Sequence, residues 1–90
     1  MLIWDESKRR RNIALHGIDF ASLGDIFSQP TDTEVDDGPY SELRYRTYFL
    51  HQGKVAALIW TERGRHIRAI SCWYVNRARA RKFIEEQFHG

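Results

Sequence analysis

The stretch Trp4–Phe20, WDESKRRRNIALHGIDF, predicts the first helix of the fold and the surface that the helix presents. Asp5 is a favourable N-cap, because its carboxylate can accept hydrogen bonds from the unpaired N–H groups of the first turn. Gly17 is the matching stop, since glycine readily adopts the left-handed conformation just past a helix end. The sequence therefore predicts a helix from Asp5 to His16.

Three polar side chains share one ridge of this helix. Lys8, Asn12 and His16 recur at a spacing of four residues, which aligns them on one face. Arginines at positions 9–11 surround the ridge and form a general electrostatic surface. We expect Asn12 to anchor backbone or loop atoms. His16 can either contact the last carbonyl groups of the helix or serve in a site, and Lys8 is the strongest site candidate on the helix.

Outward from this helix, short elements are predicted on both sides. Met1–Trp4 is apolar and should be an edge or joining strand. Ile18–Phe27 has the apolar spacing of a second helix, which Pro30 ends. Residues 32–42 contain five acidic and no basic side chains, and Thr33–Val35 within them can pair as an edge strand.

Three stronger strand signals follow. Leu43–Leu50 alternates in polarity, and Val55–Thr61 is apolar on both faces, which is typical of a central strand. Ile67–Val75 is the third strand. Because the turns between these strands are short, we expect an antiparallel meander.

The last predicted element is a helix from Asn76 to about Phe88, with Ala80, Ile84 and Phe88 as its packing stripe. The order of elements predicts an α+β fold, with an antiparallel sheet of three to four strands, two N-terminal helices and a C-terminal helix. With 90 residues and no linker or repeat, the chain should form a single domain over residues 1–90.

Composition excludes several classes of protein. Hydrophobic residues make up 42% of the chain, which favours a folded globule over a disordered tail. No apolar run approaches the roughly 20 residues that cross a bilayer, and no signal peptide is visible. Cys72 is the single cysteine and cannot form an intrachain disulfide, which suits the cytoplasm. Without a phosphate-binding loop or a His/Cys/carboxylate cluster, we expect no cofactor and no metal.

Charge is unevenly distributed, although the net charge is only +2. Residues 63–84 contain seven basic and no acidic side chains, in contrast to the acidic segment 32–42. Such separation suits an anionic ligand or a charged partner. The alternative is an ordinary solvated surface.

The remaining residue types can cleave RNA without a metal. Histidine suits proton transfer because its pKa lies near neutrality. Arginine and lysine neutralise phosphate charge, and arginine can hold a phosphate with two hydrogen bonds. Aromatic rings such as those of Tyr48 and Trp73 could stack on unpaired bases.

The N-terminal pattern WDE-x-K-x3-N-x3-HG-[IV]-x-F resembles the BrnT family, the ribonuclease toxins of bacterial type II toxin–antitoxin systems. The resemblance covers Trp4 to about Arg81 and includes Ile26, Phe27, Pro30, Trp60–Gly64 and Ile67–Ser71. It implies a RelE-like fold and a toxin that cleaves RNA. It further implies a BrnA-type antitoxin with a ribbon-helix-helix DNA-binding part, so that operator DNA is reached only through the complex.

Candidate site residues follow from the resemblance and the pattern together. Lys8 matches the lysine of the family, and Arg68 lies on a strand among apolar neighbours, where an arginine needs a partner or a ligand. The predicted catalytic residues are Lys8, His16, Arg68 and Arg77. The predicted RNA contacts are Arg9, Arg11, Arg63, Arg65, Arg81 and Tyr48. Arg77 and Arg81 share a helix face that suits RNA phosphate and an acidic antitoxin segment equally well.

The chain also departs from the family pattern. After Ile70-Ser71 the family typically has Ala-Arg-Arg-Ala, whereas this chain has Cys72-Trp73-Tyr74-Val75, and Arg79 replaces a glutamate. Two arginines are therefore missing at the strand end. This leaves open an alternative function, a weakened or inactive toxin-like module that binds nucleic acid or an antitoxin.

Overall fold

The computed structural model describes residues 1–88, which form two α-helices, two short 3₁₀ turns and one five-stranded sheet. In chain order the elements are β1 (Leu2–Ile3), α1 (Glu6–His16), 3₁₀ turns Phe20–Ser22 and Ile26–Ser28, β2 (Asp32–Val35), β3 (Tyr45–His51), β4 (Lys54–Arg63), β5 (His66–Tyr74) and α2 (Arg77–Phe88).

The strand order of the sheet is β1-β5-β4-β3-β2. The predicted meander of β3, β4 and β5 is antiparallel as expected, and β2 extends it antiparallel to β3. β1 joins β5 in parallel as a short edge strand. The α+β class is therefore confirmed, but the predicted number of three to four strands is too small, because both short flanking segments pair.

Local signals set the turns between the long strands. Gln52 and Gly53 connect β3 to β4 with φ angles of 52° and 78°, as a tight hairpin turn requires. Gly64, with φ of 60°, begins the turn from β4 to β5. Every residue of Val55–Trp60 is buried, which confirms β4 as the central strand.

Helix α1 begins and ends where the sequence predicts. The Asp5 carboxylate accepts hydrogen bonds from the backbone N–H groups of Ser7 and Lys8, at 2.8 and 3.3 Å. Gly17 has a φ of 71° and donates its N–H to the Ile13 carbonyl. Within α1 only Asn12 is buried, so this helix presents a surface instead of a core face.

The predicted second helix, Ile18–Phe27, is wrong. This segment forms two separate 3₁₀ turns with Gly24 at a φ of 63° between them. Asp19 and Asp25 each cap one of the turns, accepting a hydrogen bond from the N–H two residues later. Two aspartate caps and a left-handed glycine within ten residues interrupt the regular hydrogen bonding of a helix.

The two faces of the sheet are covered by different elements. On one face the segment after α1 supplies Phe20 and Ile26 to the larger cluster of buried side chains. On the other face α2 packs through Phe83, against Val55 and Ala57 of β4.

The packing stripe predicted for α2 is only partly confirmed, because two of its residues are largely exposed, although the Phe88 ring packs edge-on against that of Phe83 with centroids 6.3 Å apart. Ala80 packs against the sheet, but Ile84 and Phe88 are 44% and 50% exposed. The helix instead buries Phe83, whose ring is fully enclosed. Spacing alone could not distinguish these faces, because Phe83 and Ile84 are neighbours that point about 100° apart on a helix.

Neither α1, with 11 residues, nor α2, with 12, is long and apolar enough to cross a bilayer, and they are the α-helices of the described residues 1–88.

Cys72 lies near the end of β5 with no exposed surface, and burial raises the pKa of its thiol to about 12. We expect native protein to resist a thiol-specific chromogenic reagent at pH 8, because almost no thiolate is present and the reagent cannot reach the sulfur. The same protein in 6 M guanidinium chloride should release about one equivalent of chromophore per chain. Rapid reaction of the native protein would contradict this burial.

Candidate nucleic-acid interface

Two adjoining hollows lie between α1 and β5, and together we call them the α1–β5 groove. The first has a volume of about 200 Å³ and is lined by Lys8, Arg11, Asn12, Leu15, His16, Ile70 and Ser71. The second has a volume of about 80 Å³ and is lined by Lys8, Glu42, Arg44, Thr61, Arg63, Arg68 and Ile70. Lys8 and Ile70 belong to both hollows, so the groove is continuous past them.

Asn12 attaches α1 to the sheet. Its side-chain N–H groups donate to the carbonyls of Ile18 and Cys72 at 2.8 and 2.9 Å, and its oxygen accepts from the Cys72 N–H at 2.9 Å. Within residues 1–88, β1 pairs with Ile67 and Arg68 and does not reach Cys72, so the Asn12 amide takes the place of a neighbouring strand there. The predicted anchoring role of Asn12 is confirmed.

This attachment turns the polar ridge toward β5. Lys8, Asn12 and His16 line the same hollow, which confirms that the three share one face of α1. Lys8 also reaches the second hollow, where Arg63 and Arg68 lie. The fold therefore brings three of the four predicted catalytic residues to a single groove.

The groove has an excess of positive charge. In the part of the chain that the structure describes, Lys8, Arg11, Arg63 and Arg68 take part in no ion pair. Glu42 is the acidic residue of the second hollow, and it is paired with Arg44 at 3.1 Å. Uncompensated cations on concave walls attract anions, so the groove suits a phosphate backbone.

The field of the groove extends to the start of α1. Hydrogen bonds from the Ser7 side chain and from the backbone of Lys8 and Ser7, together with the charge of Arg68, hold the pKa of the Asp5 carboxyl below its usual value. Asp5 and Arg68 line a further open concavity next to Arg63.

His16 lies at the far end of the groove from Arg68. Its side chain is exposed, and its ring centroid is 6.3 Å from that of Trp73. Among residues 1–88 the ring forms no hydrogen bond to the last carbonyls of α1, and Gly17 closes the helix through its backbone. The alternative of a purely helix-capping His16 is therefore not supported.

Arg9 lies outside the groove, although it was predicted to contact RNA. Its guanidinium donates two hydrogen bonds to Asp19, at 2.8 and 2.9 Å, and a third to Glu6 at 2.6 Å. These bonds raise the pKa of Arg9 further above its ordinary value. Arg9 thus ties α1 to the segment that follows it. Arg11, two residues later, faces the groove instead.

Tyr48 also has a structural position. Only 6% of its surface is exposed, its hydroxyl donates to Glu34 at 3.0 Å, and the guanidinium of Arg79 lies 3.7 Å above its ring. Stacking on an RNA base, as predicted for Tyr48, would require displacement of Arg79. We therefore omit Tyr48 from the interface.

The acidic segment supplies partners for arginines within the fold. Asp32 pairs with Arg79 at 3.2 Å, and Glu34 pairs with Arg46 at 3.1 Å. Asp36 pairs with Arg46 as well, at 2.9 Å. The predicted basic run from residue 63 therefore loses Arg79 to a structural ion pair.

The other predicted arginines are exposed but lie away from the hollows. Arg65 is in the turn between β4 and β5, and Arg77 and Arg81 are on α2. Sequence reasoning missed Ser71 and the Glu42–Arg44 pair as groove residues. The alternation of the predicted strand Leu43–Leu50 could have indicated Arg44, and Ser71 lies in the stretch Ile67–Ser71 that resembles the family.

A comparison with protein families identifies the chain. The family described as "Ribonuclease toxin, BrnT, of type II toxin-antitoxin system" matches residues 4–78. The chain belongs to the BrnT family. A search of curated proteins gave no match.

Membership of the BrnT family places the chain among ribonuclease toxins of type II toxin–antitoxin systems, with an antitoxin partner and RNA as the substrate of the class. The match covers α1 and β5 in full, so the whole groove lies inside the BrnT region. The departures Trp73 and Tyr74 pack against opposite clusters, Trp73 on the face that α2 covers and Tyr74 on the face that the segment after α1 covers. Residues 79–88 of α2 lie beyond the match.

Among the residues that the structure describes, no three His, Cys, Asp or Glu side chains are grouped as metal ligands would be.

Proposed function

We propose that this BrnT family member is a metal-independent endoribonuclease toxin that cleaves RNA in the α1–β5 groove. We further infer that it has a RelE-like fold, acts in the cytoplasm and is neutralised by a BrnA-type ribbon-helix-helix antitoxin. The observation that carries the proposal is the position of Lys8. Lys8 lines both hollows of the groove. One of them is also lined by Arg63 and Arg68, and the other is also lined by His16.

The groove residues have distinct roles in this proposal. Arg68, Arg63 and Lys8 hold the phosphate and neutralise the charge that develops when the 2′-hydroxyl attacks it. Arg11 binds the RNA strand at the wall of the first hollow. Attack by the 2′-hydroxyl breaks the P–O5′ bond, so one proton leaves the 2′-oxygen and one reaches the departing 5′-oxygen, and His16 is the proposed proton-transfer group, acting from the first hollow.

The length of the groove fits a single strand. Lys8 and His16 are eight residues apart, about 12 Å along a helix that rises 1.5 Å per residue. A strand that lies along α1 therefore extends over more than one nucleotide. Single-stranded RNA is the substrate that this arrangement favours, because its phosphates can approach the cations while its bases turn outward.

A second function is favoured by Trp73. Its ring, at a position where the family has arginine, packs against the cluster that α2 covers, so the groove has fewer cations than the family pattern provides. A module that binds RNA or the antitoxin without cleaving RNA would have the same fold. Cleavage and binding assays distinguish the two functions directly.

Purified protein, free of antitoxin, should cleave single-stranded RNA in the presence of EDTA. The groove supplies histidine, lysine and arginine for proton transfer and charge neutralisation, so the products should end in a 2′,3′-cyclic phosphate or a 3′-phosphate. Mass spectrometry of the fragments measures these ends.

A Lys8→Ala variant, prepared in parallel, is the control for contaminating nuclease and should be inactive. Strict dependence on magnesium would contradict metal independence. RNA binding without cleavage by the wild-type protein would favour the second function. Induced expression should also arrest growth, and co-expression of the neighbouring antitoxin gene should restore it.

A further inference from the structure

One side of α2 is exposed among residues 1–88 and combines positive charge with apolar surface. Arg77, Arg81, Ile84 and Phe88 recur at spacings of four, three and four residues, so they lie on one side of the helix. All four are exposed, and the two apolar residues are 44% and 50% exposed. We call these four residues the α2 stripe.

The cations of α2 divide into two kinds. Arg79 is bound to Asp32 and covers the ring of Tyr48, and Lys82 lies 3.9 Å from Glu86 on the same helix. By contrast, Arg77 and Arg81 take part in no ion pair within the described residues 1–88. The helix therefore directs its uncompensated charge to the side where its apolar residues are exposed.

We propose that the α2 stripe is the docking surface for the antitoxin. The matching occupant is an amphipathic segment whose acidic side chains face Arg77 and Arg81 and whose apolar side chains cover Ile84 and Phe88. Complementary charges accelerate association, and burial of the apolar pair slows dissociation. This inference rests on the toxin–antitoxin part of the proposed function and does not require that the groove cleaves RNA.

The α2 stripe and the α1–β5 groove lie on different helices. RNA is proposed to lie between α1 and β5, whereas the stripe belongs to α2, the helix that packs on β4 through Phe83. Groove and stripe therefore use different residues. Variants of the stripe should weaken antitoxin binding while RNA cleavage continues.

The test uses the full chain and the purified product of the gene next to its own. Arg81→Glu should slow association by about fivefold at low salt, and 0.5 M salt should reduce this difference. Lys82→Glu is the matched control, because it makes the same charge change one residue away on another side of α2. Its association rate should stay within about twofold of wild type. Biolayer interferometry measures both rates.

A second variant tests the apolar part of the stripe. Ile84→Ser should raise the dissociation rate by about tenfold, as loss of one buried aliphatic contact predicts. Its rate of RNA cleavage and its circular dichroism spectrum should match those of the wild-type protein. These readouts distinguish loss of docking from loss of folding.

Three results would overturn the proposal. Equal association rates for Arg81→Glu and Lys82→Glu would show that the charge of the stripe has no role. Unchanged dissociation of Ile84→Ser, with binding lost in Lys8→Ala instead, would place the antitoxin on the groove. Failure of the wild-type chain to form any complex would exclude the partner. Inactivity toward RNA with antitoxin binding intact would refute only the ribonuclease proposal.

Discussion

Replacing Arg68 by alanine should lower the rate of RNA cleavage by about 100- to 1,000-fold, the range observed when one charge-stabilising donor is removed from an active site. Arg68 lies half-buried on β5, in the hollow that Lys8 also lines. Its guanidinium forms no ion pair among residues 1–88, so it is available to hold a phosphate. Single-turnover cleavage of a labelled RNA measures the loss.

The control for Arg68→Ala is Arg10→Ala, which removes the same charge from a side chain that is 78% exposed and lies outside the groove. That variant should retain cleavage within a few-fold of wild type. The melting temperature of Arg68→Ala should stay close to the wild-type value. A collapsed melting curve would show that Arg68 supports the fold, and its assignment to the site would then be refuted.

Replacing Asn12 by alanine should lower the free energy of unfolding by about 3 kcal/mol, because three buried hydrogen bonds are lost and their backbone partners are left without one. Those partners are the N–H and carbonyl of Cys72 and the carbonyl of Ile18. Cleavage should fall as well, since α1 would no longer hold Lys8 and His16 against β5. Urea unfolding followed by tryptophan fluorescence measures the change in stability.

The comparison for Asn12→Ala is Leu15→Ala, which truncates a side chain of α1 that is 68% exposed. That substitution should change the free energy of unfolding by less than about 0.5 kcal/mol. A loss below about 1 kcal/mol for Asn12→Ala would mean that water replaces the three bonds. The attachment of α1 to β5 would then rest on other contacts.

The sequence by itself determined the elements that depend on neighbouring residues. The cap at Asp5, the stop at Gly17 and the polar ridge between them are signals within one helix, and the structure agrees with all three. The turn at Gln52-Gly53 and the apolar run of β4 are equally local. Such signals act over a few residues, so they do not depend on how the chain packs.

Tertiary structure alone decided which of the predicted polar residues lie together. Asn12 bonds to Cys72, 60 residues away, and this contact turns Lys8 and His16 toward β5, where Lys8 meets the hollow that Arg68 lines. A sequence pattern does not show which strand a helix faces, because side chains distant in the chain meet only after the sheet has formed.

The same reason explains why similar neighbouring residues have different positions in the fold. Arg9 and Arg11 look equivalent in the sequence, yet only Arg9 meets Asp19, so only Arg11 faces the groove. Phe83 and Ile84 are likewise adjacent and apolar, but of the two only Phe83 is buried against the sheet. Burial and ion pairing depend on the residues that lie opposite a side chain, and the tertiary fold determines which residues those are.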